Sequence, residues 1–306
     1  MITLQREEFT KGKKPSERSV EERLSFGVVL IDKPCGPSSH EVSAFARKIA
    51  HSVKSGHSGT LDPDVSGVLP VFLNNACKAV TVFIGAPKEY VCVMLMGCEK
   101  PFAEVNETFD NFRGAIYQTP PLKSAVAKKL RVREVYSLDV LEVAGRKVLF
   151  KASVQGGTYI RTICDHFGEV IGCGASMHEL RRTKAAGFDE ADCVTLQDLS
   201  DAFWLWHEKK DSKLVEKFVH NLEDVLSLKK VVVSDGALKP ITTGANLAIP
   251  GIISLDQGIK EGDRVQLLSG KGEIACLARA LMPSEKIASQ RQGIAFDVER
   301  VIQQFS

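Results

Sequence analysis

The stretch Gly56-His57-Ser58-Gly59-Thr60-Leu61-Asp62-Pro63-Asp64-Val65-Ser66-Gly67-Val68-Leu69-Pro70 places a carboxylate at the tip of a Gly-rich loop. Glycines let a backbone approach a ligand closely, and the apolar run that follows anchors the loop. Pro63 pushes the backbone of Asp62 towards extended conformations. A carboxylate presented this way serves as a nucleophile, a general base or a metal ligand, and the loop alone does not choose among them. Two other readings compete. Asp, Pro and Gly are the commonest turn formers, so Asp62-Pro63-Asp64 also fits an acidic surface turn. The Asp-x-Asp spacing also resembles a magnesium-holding phosphotransferase loop, but such carboxylates emerge from the end of a continuous apolar strand. Here the preceding Lys54-Ser55-Gly56-His57-Ser58-Gly59 is polar and loop-like, which weighs against magnesium.

The elements that must position this loop show in the patterning. Gly27-Val28-Val29-Leu30-Ile31-Asp32-Lys33-Pro34 reads as a buried strand stopped by a turn. Ser38 and Ser39 are placed to cap a helix over roughly 40–50, with Glu41 in its first turn. Residues 75–84 read as helical, and Lys88 to Met96 as a strand with Tyr90 near its start. Alternation over 133–143 and 146–155, broken at Ala144-Gly145-Arg146, predicts a β-hairpin. Gly156-Gly157-Thr158 then opens a helix carrying Tyr159, Ile160, Arg161 and Ile163, and 195–226 is mostly helical. Past residue 228 the chain breaks into short segments separated by turns such as Ser234-Asp235-Gly236 and Glu261-Gly262-Asp263, the pattern of a small barrel. The expected fold is α+β: a polar arm over 1–26, a mixed domain over 27–228 and a β-rich domain over 229–306.

Composition excludes several classes. With 44% hydrophobic and 25% charged residues, the chain has the balance of a soluble globular protein, and 306 residues suffice for one large domain and a smaller one. The eight cysteines include no Cys-x-x-Cys pair and mostly sit among apolar neighbours, as Cys92 does. They read as reduced core residues of an intracellular protein, neither a zinc site nor a disulfide framework. No signal-peptide pattern and no apolar run of roughly 20 residues appears, so no membrane is expected. No Walker-type phosphate loop is present. The net charge of +2 says little, but its distribution says more. Lys123, Lys128, Lys129, Arg131 and Arg133 form one basic cluster, and Arg181, Arg182 and Lys184 another. Such clusters either follow a phosphate backbone or form a solvated face.

Six ordered segments carry a resemblance: Gly27 to His40, Gly56 to Pro70, Lys88-Glu89-Tyr90, Pro120 to Val126, Gly157 to Thr162 and Glu179-Leu180-Arg181-Arg182-Thr183. Together they resemble the tRNA pseudouridine-55 synthase family, most closely its RNA-guided branch, the dyskerin-like proteins of box H/ACA particles. Thr243 to Gly251 resembles part of a PUA domain, the RNA-binding barrel of that branch. Ser58 stands where the family more often has Gly or Thr, and Cys35 where Pro is common. The lysine-rich tails of eukaryotic members are missing, which favours the archaeal type, cytoplasmic; a eukaryotic member would be nucleolar.

The resemblance implies a fold built on a mainly antiparallel sheet, with the arm docked on the C-terminal domain. It makes Asp62 the catalytic carboxylate, Arg161 its ion-pair partner, Tyr90 the residue stacking on the target base, and Leu180 an apolar wall beneath it. It assigns RNA contacts to His57, Lys88, Tyr159, Arg181, Arg182, Lys239 and Gly244. The basic stretch from Lys123 to Arg133, with Lys123, Lys128, Lys129 and Arg131 as further RNA contacts, resembles the family's mobile thumb loop, which closes over RNA. Pseudouridine formation is an isomerisation, so no cofactor and no metal is expected. Implied partners are a guide RNA, an rRNA or tRNA substrate and three small proteins: a zinc- or β-type subunit, a β-barrel thumb regulator and a kink-turn binder. A stand-alone tRNA synthase and a non-catalytic RNA-binding scaffold stay open as alternatives.

Overall fold

The structure, a computed structural model, describes every residue except 121–126, 128 and 306. Strand β1 (Ile2–Thr3) and helix α1 (Val20–Ser25) precede β2 (Gly27–Lys33), α2 (Ser39–Ile49), β3 (Ser55–His57) and β4 (Ser66–Leu73). Next come α3 (Val80–Ile84), β5 (Lys88–Met96), α4 (Phe102–Asp110), β6 (Gly114–Gln118), β7 (Arg131–Ala144) and β8 (Lys147–Val154). Helix α5 (Ile160–Ile171) leads through β9 (Ala175–Ala185) and β10 (Phe188–Asp189) to α6 (Leu196–Lys209), α7 (Lys213–Phe218), β11 (Val219–Asn221) and α8 (Leu222–Val225). The C-terminal part holds β12 (Lys229–Val233), α9 (Asp235–Thr242), β13 (Leu247–Ala248) and β14 (Ile252–Leu255). It ends with β15 (Arg264–Leu268), β16 (Ile274–Ala280), α10 (Ser284–Ser289) and β17 (Ile294–Val301).

Among the described residues, ten strands form one mixed sheet in the order β11-β2-β4-β9-β5-β8-β7-β6, with β3 beside β4 and β10 beside β9. Its pairings are antiparallel except where β4 meets β9 in a short parallel contact, Ser66 opposite Arg181 and Gly67 opposite Arg182. That junction divides the sheet into two antiparallel halves with separate cores. Strand β5 alternates buried and half-buried residues, as a period of two dictates. Its inward Cys92 and Met94 pack with Phe150 of β8 on Phe109 of α4 and on Ile163 and Phe167 of α5. Strand β2 has no polar face because it is covered twice. Val29 and Ile31 meet α2 and α6, while Val28 and Leu30 share a core with Leu268, Ile274, Leu277 and Ile302 of the C-terminal part. The continuous apolar run is what burial on both faces requires.

The α+β expectation holds, with particular differences. The 195–226 stretch is broken by β11, which pairs with β2. Polar 1–25 contains α1, started by a capping box in which Ser19 and Glu22 exchange bonds with each other's backbone. That Ser-x-x-Glu spacing is readable in sequence. The cysteine expectation is corrected as well. Cys98 and Cys173, 75 residues apart, form a disulfide, and Cys35 is exposed. The bonded pair meets because β5 and β9 run antiparallel and end together, with Met96 opposite Ala175.

The arm lies on the C-terminal seven-stranded sheet, ordered β1-β14-β12-β15-β16-β17-β13. Arg18 fixes it there. Its guanidinium donates to both Glu223 carboxylate oxygens at 2.8 and 2.9 Å and to Glu273 at 3.3 Å. These three residues come from the arm, from α8 and from the turn between β15 and β16, and all are buried. Arg18→Ala leaves two buried carboxylates without their cation, so stability is expected to fall by about 3–5 kcal/mol in a denaturant titration. An unchanged midpoint would show that the triad contributes nothing.

Candidate active site

Asp62 stands on the loop between β3 and β4, just before Ser66 of the parallel junction, and its side chain is 58% exposed. The backbone beneath it is held from three sides. Ser39 Oγ accepts from Leu61 N at 2.8 Å and donates to Leu61 O at 2.9 Å, so one hydroxyl satisfies both groups of the residue before Asp62. Lys33, with 0% exposure, donates from Nζ to Pro34 O, Pro63 O and Val65 O at 2.9, 3.2 and 2.7 Å. Gly36 N donates to Pro63 O, and Val65 N closes the turn on Asp62 O at 3.1 Å. Arg182, 1% exposed, donates from Nε to Val68 O at 2.8 Å and from Nη2 to Gly59 O at 3.3 Å. Gly67 is obligatory: its φ is +108°, and a Cβ there would lie 2.1 Å from the Arg182 carbonyl oxygen.

Arg161 reaches the loop from the first turn of α5. Its Nη2 lies 3.2 Å from Asp62 Oδ2 and 3.8 Å from Asp64 Oδ2. The cation between these two carboxylates is therefore a guanidinium, in the place where the phosphotransferase reading would put magnesium. Among the described residues, no group of three or more His, Cys, Asp or Glu is placed to hold a metal. The start of α5 is itself pinned by Gln118 at the end of β6. Its amide donates to Tyr159 O and accepts from Tyr159 N, both at 3.0 Å. Tyr90, 7% exposed, packs in one apolar cluster with Leu61, Val65 and Ile160, and Leu180 lies against that cluster. Asp62, Arg161, Tyr90 and Leu180 thus converge on the junction from β5, β9, α5 and the loop.

Four family models match: the DKCLD domain over 3–43, the N-terminal domain of TruB family pseudouridylate synthases over 47–160, the C-terminal domain of tRNA pseudouridylate synthase B over 161–227, and the PUA domain over 229–302. A probable tRNA pseudouridine synthase B of Archaeoglobus fulgidus is 44% identical over 94% of this chain and 89% of its own length. The chain belongs to the TruB family of pseudouridylate synthases. A Methanocaldococcus jannaschii relative of the same description is 45% identical over 95% of this chain and 87% of its own. A solved Cbf5-Nop10-Gar1 complex contains a chain 42% identical, with TM-score 0.90 over 99% of this chain and 94% of that one. An H/ACA RNP bound to a substrate RNA containing 2′-deoxyuridine contains one 40% identical, with TM-score 0.90 and the same coverage.

Within this pseudouridylate synthase, the cations expected to touch RNA divide sharply. Arg182 and Lys88, both expected to contact RNA, are buried, with their charged ends on backbone carbonyls. Lys88 donates to Ile84 O and Ala86 O, and burial, aided by the Arg182 charge, lowers its pKa to about 8. Arg181 is half-exposed but engaged. It forks onto both Asp32 oxygens at 3.0 and 3.1 Å and donates to Glu190 at 2.6 Å, and these bonds raise its pKa. It anchors β9 to β2 and is not offered freely to phosphates. Lys129, Lys239 and Gly244 are exposed, and Arg131 is half-exposed at the start of β7. Lys123 and Lys128, with 124–126 of the expected thumb loop, lie outside the described residues.

His57, beside His40 at 6.1 Å, is half-buried, and its Nδ1 has no hydrogen-bond partner. Burial, then the neighbouring His40 and Arg182, hold its pKa below the ordinary value, so it is neutral at pH 7. A neutral imidazole can bond to a ribose or base but does not neutralise a phosphate. The residues missed as positioning groups are Lys33, Ser39 and Gln118. Only Ser39, next to a capping serine, stood near a readable local signal.

Proposed function

We propose that this chain is the catalytic subunit of an RNA-guided pseudouridine synthase, isomerising uridine to pseudouridine in rRNA or tRNA. The observation that carries the reading is the exposed Asp62–Arg161 pair, seated on a loop whose backbone is fixed by buried Lys33, Ser39 and Arg182. The reaction breaks the N1–C1′ bond, forms C5–C1′ and moves the C5 proton to N1, so atoms balance without an outside reagent. A stacked uridine is closed to attack, so the target is flipped out. Asp62 then faces the sugar–base junction, Arg161 holds the carboxylate aimed, Tyr90 offers a ring to the base, and Leu180 closes the apolar side.

Guided action is supported by the likeness to chains solved with Nop10, with Gar1 and in an H/ACA RNP. Partners of those kinds, with a guide RNA gripped by the PUA segment, complete the enzyme. The names of the archaeal relatives favour a second reading, stand-alone action on tRNA. The experiment measures pseudouridine in a guide-matched RNA and in a tRNA, each with and without guide and partner proteins. Product appearing only with guide and partners is expected for the guide-matched RNA. Equal product from the protein alone would replace guided action by stand-alone action, and RNA binding with no product anywhere would leave a scaffold.

A further inference from the structure

The functional groups of β5 and α5 sit at one end of a shared seam, Tyr90 near the start of the strand and Arg161 near the start of the helix. Along the same seam Cys92 of β5 faces Cys164 of α5, sulfur to sulfur at 3.9 Å. Past the far ends of both elements, Cys98 is bonded to Cys173. The two pairs differ in access. Cys92 and Cys164 are fully buried, so small thiols do not reach them, and their mutual hydrogen bond, then burial, pushes the Cys164 thiol up. Cys98 and Cys173 are half-buried at the surface, within reach of small thiols. The backbone holds them side by side on its own account. Gly97 N donates to Gly174 O at 2.8 Å, and the chains pass so closely that a Cβ on Gly97 would lie 1.9 Å from the Cys173 carbonyl oxygen.

We propose that Cys98 and Cys173 are a reversible redox modification site, a staple that closes the far end of the seam carrying Tyr90 and Arg161. The co-reactant is a small-molecule disulfide of the glutathione class. One cysteine thiolate attacks it, giving a mixed disulfide and releasing one small thiol. The second cysteine then displaces the other, so two protons and two electrons leave the protein and reduce the co-reactant to two thiols. Excess small thiol reverses both steps. The cross-link closes a long loop and restricts the unfolded chain, while the backbone contacts of the seam persist without it. Reduction therefore shortens thermal lifetime and leaves the chemistry at the other end of α5 intact. The inference is independent of which RNA is modified.

The test alkylates the full-length protein in denaturant after equilibration with oxidised glutathione. Peptide mapping is expected to find Cys98 and Cys173 joined to each other, with exposed Cys35 the one free cysteine open to capping by glutathione, and all eight cysteines labelled after reduction. Reduction, Cys98→Ser and Cys173→Ser are each expected to lower Tm by roughly 5–10 °C. Reductant should have no further effect on either variant, and pseudouridine formation well below melting should be unchanged. Cys98 and Cys173 labelled before reduction would overturn the proposal. So would a reduced wild-type protein that melts with the oxidised one, a readout that needs no variant to fold.

Discussion

Asp62→Asn is expected to lower the rate of pseudouridine formation by about ten-thousand-fold or more, the scale seen when a sole activated nucleophile is removed. RNA binding and Tm should stay at wild-type values. The substitution changes no volume, and none of the bonds that fix the loop involves the Asp62 side chain. Ser39 holds Leu61, Lys33 holds Pro63 and Val65, and Arg182 holds Gly59 and Val68. The stability lost with an exposed ion pair is about 0–1 kcal/mol. Asp64→Asn is the internal control. Asp64 is the more exposed carboxylate and lies farther from Arg161, 3.8 Å against 3.2 Å, so its loss should leave most of the activity. A single-turnover assay at saturating RNA separates the two, and an Asp62→Asn protein as active as Asp64→Asn would remove Asp62 from the chemistry.

The loop was legible because its signals are local: glycine, proline and aspartate bend the chain wherever they occur together. The same holds for the alternation over 133–143 and 146–155, the capping pair Ser38–Glu41 and the hairpin turn at Gly145. What supports the loop was not legible, because its partners are remote. Lys33 reaches a carbonyl 32 residues away and Arg182 one 114 residues away, and no local pattern announces a cation that will be buried against carbonyls. The basic cluster at 181–184 shows this most clearly. Charge counting treats Arg181, Arg182 and Lys184 alike, yet the sheet turns Arg182 inward, gives Arg181 to Asp32 and Glu190, and pairs Lys184 with Asp189. Strand alternation hints at opposite faces for Arg181 and Arg182 but not at their partners. The disulfide was hidden in the same way, since only the antiparallel course of β5 and β9 brings its halves together.

Arg161→Met is expected to cost about a hundred- to a thousand-fold in kcat, the range for losing one preorganised charged donor at a reacting group. The side chain is 40% exposed and projects from a helix whose start is held by Gln118 through the backbone of Tyr159, so α5 should fold unchanged. A structural role would lower Tm together with activity; the geometry predicts loss of activity alone. Arg161→Lys discriminates further. Lysine keeps the positive charge but loses the planar fork and reaches less far, so it can neutralise Asp62 without fixing its direction. If charge is what matters, the lysine variant recovers most of the rate. If direction matters, it stays close to methionine, and the second result is expected. The pair stands in solvent, where charge neutralisation alone is weak, whereas a fixed carboxylate at the sugar–base junction requires the guanidinium's orientation.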